Sequence, residues 1–157
     1  MLSVISFVFS PFTVNSPLES KAFKTTPITY LKGQEVNPSL SPNGKLLAFT
    51  HAKNKTLQYQ VRVKFLSNNK FLFVDDAPFS STPTWSADGV TLYYQAFENE
   101  ECLVKQVHLV DELTFSKPEV ITTCGKEKSV SPVAVDKTNE WLYFSHKMAR
   151  NKSMQIK

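Results

Sequence analysis

Two stretches of this 157-residue chain decide how it folds: NPSLSPNGKLLAF at residues 37–49 and TPTWSADGVTLYY at residues 82–94. Each has a proline as its second residue, continues through a short turn sequence that ends in glycine, and finishes in a run of apolar and aromatic residues. A repeat with a fixed period of about 20 to 50 residues is the signature of an array of similar structural units. The two stretches therefore predict a unit of strand, tight turn and strand that occurs more than once.

A third and more divergent copy follows near the carboxyl end. It reads SPVAVD at residues 131–136 and WLYF at residues 141–144. The prolines of the three copies, Pro38, Pro83 and Pro132, are 45 and 49 residues apart. The third copy has no glycine in its turn and one extra residue before its second strand, so we expect Asn139 to adopt the left-handed conformation there. A period of this length suits one four-stranded propeller blade.

The glycines set the register of the repeat. The chain has only four glycines, and they fall at related turn positions, Gly33 with Gly125 and Gly44 with Gly89. Glycine accepts the positive φ that many tight turns require. Structural roles in the repeat are predicted for its turn residues, its prolines and its tryptophans, with both tryptophans expected in the core between blades. These residues are Pro38, Gly44, Pro83, Trp85, Asp88, Gly89, Pro132 and Trp141.

Between the motif copies, each unit supplies two further strand candidates rich in β-branched and aromatic residues. They are residues 57–66 and 71–74 in the first unit, and 103–110 and 120–123 in the second. Ile28–Tyr30 precedes the first motif as residues 121–123 precede the third, and is therefore predicted to be the last strand of an earlier blade.

The predicted fold class is all-β: a partial β-propeller of about two and a half four-stranded antiparallel blades over residues 25–157. The predicted blades cover about residues 37–79, 80–127 and 128–157, the last being incomplete. Because propellers close with about four to eight blades, we expect the remainder of the propeller, or another copy of the chain, to cover the open faces and edges.

The amino-terminal residues 1–24 differ from the rest. Residues 1–12 read MLSVISFVFSPF without a charge, which is too short to cross a bilayer alone, since crossing takes about 20 apolar residues. Three interpretations stay open: the remnant of a membrane anchor, a signal-like segment without the usual basic start, or a buried core element. A polar linker follows to residue 24.

Charge and motif content exclude several classes of function. The net charge is +4, and only Arg62 and Arg150 are arginines, so we expect no nucleic-acid binding by this segment. No nucleophile elbow, paired-histidine metal motif or glycine-rich phosphate loop occurs, so we expect no enzyme, no cofactor and no metal. We expect structural positions at strand ends for His51 and His146 and a half-exposed strand face for His108. Solvent-exposed turns are expected for the acidic residues 98–101 and for Asp75 with Asp76.

The only two cysteines, Cys102 and Cys124, stand at the start of one strand candidate and at the end of the next. If these strands are antiparallel neighbours, the two ends lie side by side, as a disulfide requires. An exported protein would oxidise the pair. The alternative is two buried free thiols in a cytosolic protein.

The motif at Pro38–Phe49 and Pro83–Tyr94 resembles the TolB-type propeller repeat of bacterial periplasmic proteins. The order of an apolar stub, a polar linker and the repeats most resembles the periplasmic propeller portion of membrane-bound winged-helix regulators of the CadC/ToxR type. This resemblance implies a non-enzymatic sensory module on the periplasmic side of the bacterial inner membrane, anchored or exported. It also implies a protein partner or small ligand at the propeller surface and membrane contact through the amino-terminal segment. Two alternatives are an exported TolB-like scaffold and the propeller of a prolyl-oligopeptidase-like hydrolase.

Overall fold

A computed structural model describes residues 24–53, 58–111, 114–128 and 131–146. The all-β prediction is confirmed, because these residues form eleven strands and no helix. The strands are β1 (Gln34–Leu40), β2 (Leu46–Ala52), β3 (Tyr59–Phe65), β4 (Phe71–Phe73), β5 (Ser80–Trp85), β6 (Thr91–Glu98), β7 (Glu101–Asp111), β8 (Thr114–Phe115), β9 (Glu119–Gly125), β10 (Ala134–Val135) and β11 (Leu142–Tyr143).

The strands form three successive antiparallel sheets. The first sheet has the order β1-β2-β3-β4. In the second sheet, β5, β6 and β7 follow one another, and β7 also pairs with the short β8 and with β9. The third sheet is the pair β10-β11. The first two sheets are thus meanders of neighbouring strands, the arrangement found in a propeller blade.

One strand prediction is wrong. Ile28–Tyr30 forms no strand, although its counterpart at residues 121–123 lies within β9. A strand needs a neighbour for its backbone groups, and β9 has β7 beside it. The carbonyl oxygen of Ile28 instead accepts a hydrogen bond from Nζ of Lys64. Residues near Ile28 therefore lie beside the first sheet without extending it.

The turn of the repeat is held by the side chain of its first residue. In the first copy, Ser41 Oγ accepts from Leu46 N at 2.9 Å and Ser41 O accepts from Gly44 N at 2.8 Å. In the second copy, Ser86 accepts from Thr91 N and Gly89 N at 2.9 and 3.0 Å. The serine, the polar third residue and the glycine of the motif are therefore parts of one hydrogen-bonded turn.

The third turn has the same geometry with different residues. Asp136 replaces the serine, since its Oδ1 accepts from Trp141 N at 2.8 Å and its carbonyl oxygen accepts from Asn139 N at 3.2 Å. Asn139 replaces the glycine at φ 62°, which confirms the expected left-handed conformation. The extra residue of this copy lies before the turn, between Pro132 and Asp136.

The main core lies between the first and second sheets. Val61 and Val63 of β3 face Leu92 and Tyr94 of β6, and Trp85 at the end of β5 packs with them. Trp85 is only 6% exposed, and its Nε1 donates to Ser39 O of the first sheet at 3.1 Å. Trp85 thus lies between the first and second sheets.

The core prediction for Trp141 is wrong, because its side chain is 64% exposed. Side chains alternate between the two faces of a strand. Leu142 and Phe144 pack against the second sheet, so Trp141 and Tyr143 point away from it. No described residue covers that face of β11.

Candidate protein-interaction surface

The three repeat turns lie side by side. Asn139 Oδ1 of the third turn accepts from Ala87 N of the second at 2.8 Å, and Asn139 Nδ2 donates to Asp88 Oδ2 at 3.3 Å. A Cβ added to Gly89 would lie 3.2 Å from Cδ of Pro42 in the first turn. The motif residues of the three sheets therefore form one continuous surface, which we call the turn row.

A groove of about 320 Å³ runs beside the turn row. Pro42, Trp85 and Ala87 line it from the first two copies, and Asp136 and Lys137 line it from the third. Its walls thus combine apolar side chains with charges of both signs. Shape and charge of this kind suit contact with another protein.

Two carboxylates give the turn row a fixed negative charge. The hydrogen bond from Ser86 Oγ, at 2.5 Å, lowers the pKa of Asp88. Hydrogen bonds from Thr138 and from backbone amides lower the pKa of Asp136 in the same way. Both groups are ionised at neutral pH, because hydrogen bonds to a carboxylate favour its charged form.

The prolines of the three copies lie close together. Pro38, Pro83 and Pro132 line one cavity of about 230 Å³. Asn37 and Thr82, which precede the first two of these prolines, have φ values of 52° and 53°. These residues stand at the register shifts of β1 and β5, so these two strands carry the same bulge.

A disulfide joins Cys102 of β7 to Cys124 of β9, with Cα atoms 4.9 Å apart. This is the pairing that the strand positions predict. Both cysteines are buried, and Leu142 and Phe144 pack against their cluster. The disulfide therefore stabilises the part of the second sheet on which the third sheet rests.

The prediction that Asp75 is solvent-exposed is wrong. Its side chain is 1% exposed. Oδ2 accepts from Tyr94 OH at 2.8 Å and from Lys105 Nζ at 3.5 Å, and Oδ1 accepts from Ala77 N at 2.7 Å. Asp75 lies in the segment that connects the first sheet to the second, so it fixes this connection to the second sheet.

The surroundings of Asp75 complete a buried polar network. Lys105 also forms an ion pair with Glu98. Burial, together with the nearby Asp75 carboxylate, raises the pKa of Tyr94 far above its usual value. The Tyr94 hydroxyl therefore stays protonated and remains a donor to Asp75.

Two bacterial proteins of known structure share this fold. TolB from Acinetobacter baumannii superposes with a TM-score of 0.59 at 16% identity, covering 79% of this chain and 29% of that one. A putative TolB from Agrobacterium tumefaciens gives 0.58 at 14% identity, covering 76% and 40%. No family model and no curated protein matches the chain.

The fold is that of a TolB-like β-propeller. The chain spans well under half the length of either TolB structure. A third similar structure is the β-propeller domain of the Trilobed protease from Pyrococcus furiosus, with a TM-score of 0.48, 16% identity, and coverage of 78% and 38%. The superpositions on the two TolB structures show the fold, and identities of 16% and 14% leave function to be argued from the site.

Within this TolB-like propeller, His51 and His108 occupy structural positions. His51 is buried at the end of β2, and its Nε2 donates to Lys32 O at 3.0 Å. His108 Nδ1 lies 2.9 Å from Thr91 Oγ1 across the β6-β7 pair. Residues 98–101 form the predicted hairpin tip, with Asn99 and Glu100 in its turn. Glu98 turns inward to Lys105.

Several sequence predictions fall outside the described residues. They concern the apolar segment and most of its linker at residues 1–23, and the end of the third blade at residues 147–157. In the described ranges, no helix is long and apolar enough to cross a membrane. The same ranges bring together no group of three or more metal-ligating acidic, histidine or cysteine side chains.

Proposed function

We propose that this chain is a non-enzymatic interaction module that binds a protein partner along the turn row. The observation that carries the proposal is the alignment of three repeat turns into one surface with an adjoining groove. Repetition places similar backbone turns at regular spacing, and the groove adds the exposed Leu40 and Lys137 as side chains of different chemistry. Such a surface offers a partner an apolar centre with a polar rim.

The module works on the periplasmic side of the bacterial inner membrane in this proposal. The buried disulfide supports this location, because disulfides persist in oxidising compartments and are rare in the cytosol. The likeness to two TolB structures adds to that support.

More specifically, we propose that the chain is a sensory part of a membrane-bound transcriptional regulator and makes no contact with DNA itself. Partner binding would then shift the regulator between two states. Such a shift requires unequal affinity of the partner for the two states.

Site-specific photocrosslinking in cells tests the partner surface. A benzophenone side chain at Lys137, which lines the groove, is expected to capture one discrete protein. The same group at Lys117 is the matched control, since Lys117 is an equally exposed lysine that does not line the groove.

The captured protein is then purified and titrated against the chain. Lys137→Trp should weaken binding about tenfold or more, as expected for a bulky change in a contact surface, and Lys117→Trp should leave it unchanged. Equal capture at both positions, or no capture at Lys137, would contradict the proposed surface.

A further inference from the structure

Another cavity, of about 300 Å³, opens on the first sheet and shares no lining residue with the turn row. Val61 and Val63 of β3 point into the core, so the alternate residues Gln60 and Arg62 lie on the opposite face. The polar side chains that line the cavity are His51, Lys53, Gln58, Gln60, Arg62 and Asp76. None of them belongs to the repeat motif.

Arg62 is the fixed cation of this cavity. Its guanidinium carbon lies 4.6 Å from the centre of the Phe73 ring, so the cation stacks on an aromatic face. Its Nε is buried, and no described residue accepts a hydrogen bond from it. Arg62 takes part in neither of the described salt bridges, Lys105–Asp75 and Lys105–Glu98.

Burial removes water from the charged guanidinium of Arg62. Desolvation lowers the pKa of Arg62, and the more distant charge of Glu35 opposes this effect only in part. A guanidinium stays protonated even so. Arg62 is held in place, is partly desolvated and is in neither salt bridge. A bound anion would therefore supply the charged hydrogen-bond acceptor that the guanidinium lacks.

We propose that this cavity binds a small molecule through its carboxylate group. A guanidinium presents paired N–H donors that match a carboxylate, the amides of Gln58 and Gln60 supply further donors, and Lys53 adds a second positive charge. Asp76 disfavours a doubly charged anion such as phosphate and suits a ligand amino group. The volume, at the lower limit of ligand pockets, fits a molecule of amino-acid size.

The proposal is tested by titrating the full chain with L-alanine, acetate and inorganic phosphate. Binding is monitored by the NMR chemical shifts of the Gln58 and Gln60 side-chain amides. We expect saturable binding in the order L-alanine, acetate, phosphate, from tightest to weakest. Absence of saturable shifts up to about 10 mM, or tightest binding of phosphate, would overturn the proposal.

Variants separate a lost contact from a lost fold. Arg62→Gln should weaken L-alanine binding about tenfold or more, which corresponds to one charge-assisted hydrogen-bonded pair. Lys53→Gln, a change at an exposed position, should weaken it about threefold, with an unaltered melting curve. Lys117→Gln is the control and should change nothing. Unchanged affinity in both cavity variants would overturn the proposal, whereas the crosslinking result at Lys137 is independent of this outcome.

Discussion

Asp75→Ala is expected to lower the free energy of unfolding by about 3 kcal/mol. The substitution leaves the Tyr94 hydroxyl buried without its acceptor and removes one of the two carboxylates that face Lys105. Removing one partner of a buried ion pair costs about 3 to 5 kcal/mol. We expect a loss at the lower limit of this range because the Glu98 carboxylate still pairs with Lys105 in the variant. Urea unfolding of the purified chain measures this loss.

The neighbouring residue provides the matched control for Asp75. Asp76 has the same side chain but is exposed, so Asp76→Ala should change the unfolding free energy by no more than about 0.5 kcal/mol. Asp75→Asn should fall between the two, because an amide oxygen can still accept from Tyr94. Equal effects of the two alanine substitutions would show that Asp75 does not anchor the connection between the sheets.

Loss of the disulfide has the second large expected effect. Cys102 and Cys124 are 22 residues apart, and closing a loop of this length stabilises a fold by about 3 kcal/mol in the chain-entropy estimate. The Cys102→Ala, Cys124→Ala double variant should therefore unfold at lower urea concentration than the oxidised chain. Alanine is used because the cluster around both sulfurs is apolar.

The reduced wild-type chain is the control for the double variant. Reductant should lower the stability of the wild type by a similar amount and leave the double variant unchanged. A double variant as stable as the oxidised chain would mean that the disulfide does not hold the second sheet.

The repeat turns could be predicted from sequence because their hydrogen bonds are local. Ser41, Ser86 and Asp136 each bond within five residues of the chain, so residue type and spacing carry the information. The left-handed Asn139 follows from the same rule. The approximate positions of the longer strands follow from their β-branched and aromatic composition.

The buried charges could not be predicted in this way. Asp75 and Asp76 are identical in sequence terms, and only the packing of β6 and β7 buries one of them. Arg62 alternates with valines in β3, which predicts its face but not the cavity around it. Trp141 shows the reverse case, since its apolar character predicts burial but no described element covers its face.

The state of Cys102 and Cys124 in the cell tests most directly that this TolB-like propeller works outside the cytoplasm. Cells are lysed in acid, and the denatured chain is treated with a maleimide that adds mass to each free thiol. We expect no added mass without reductant and two additions after reduction. Two additions without reductant, in cells that express the chain from its own gene, would contradict the proposed periplasmic location.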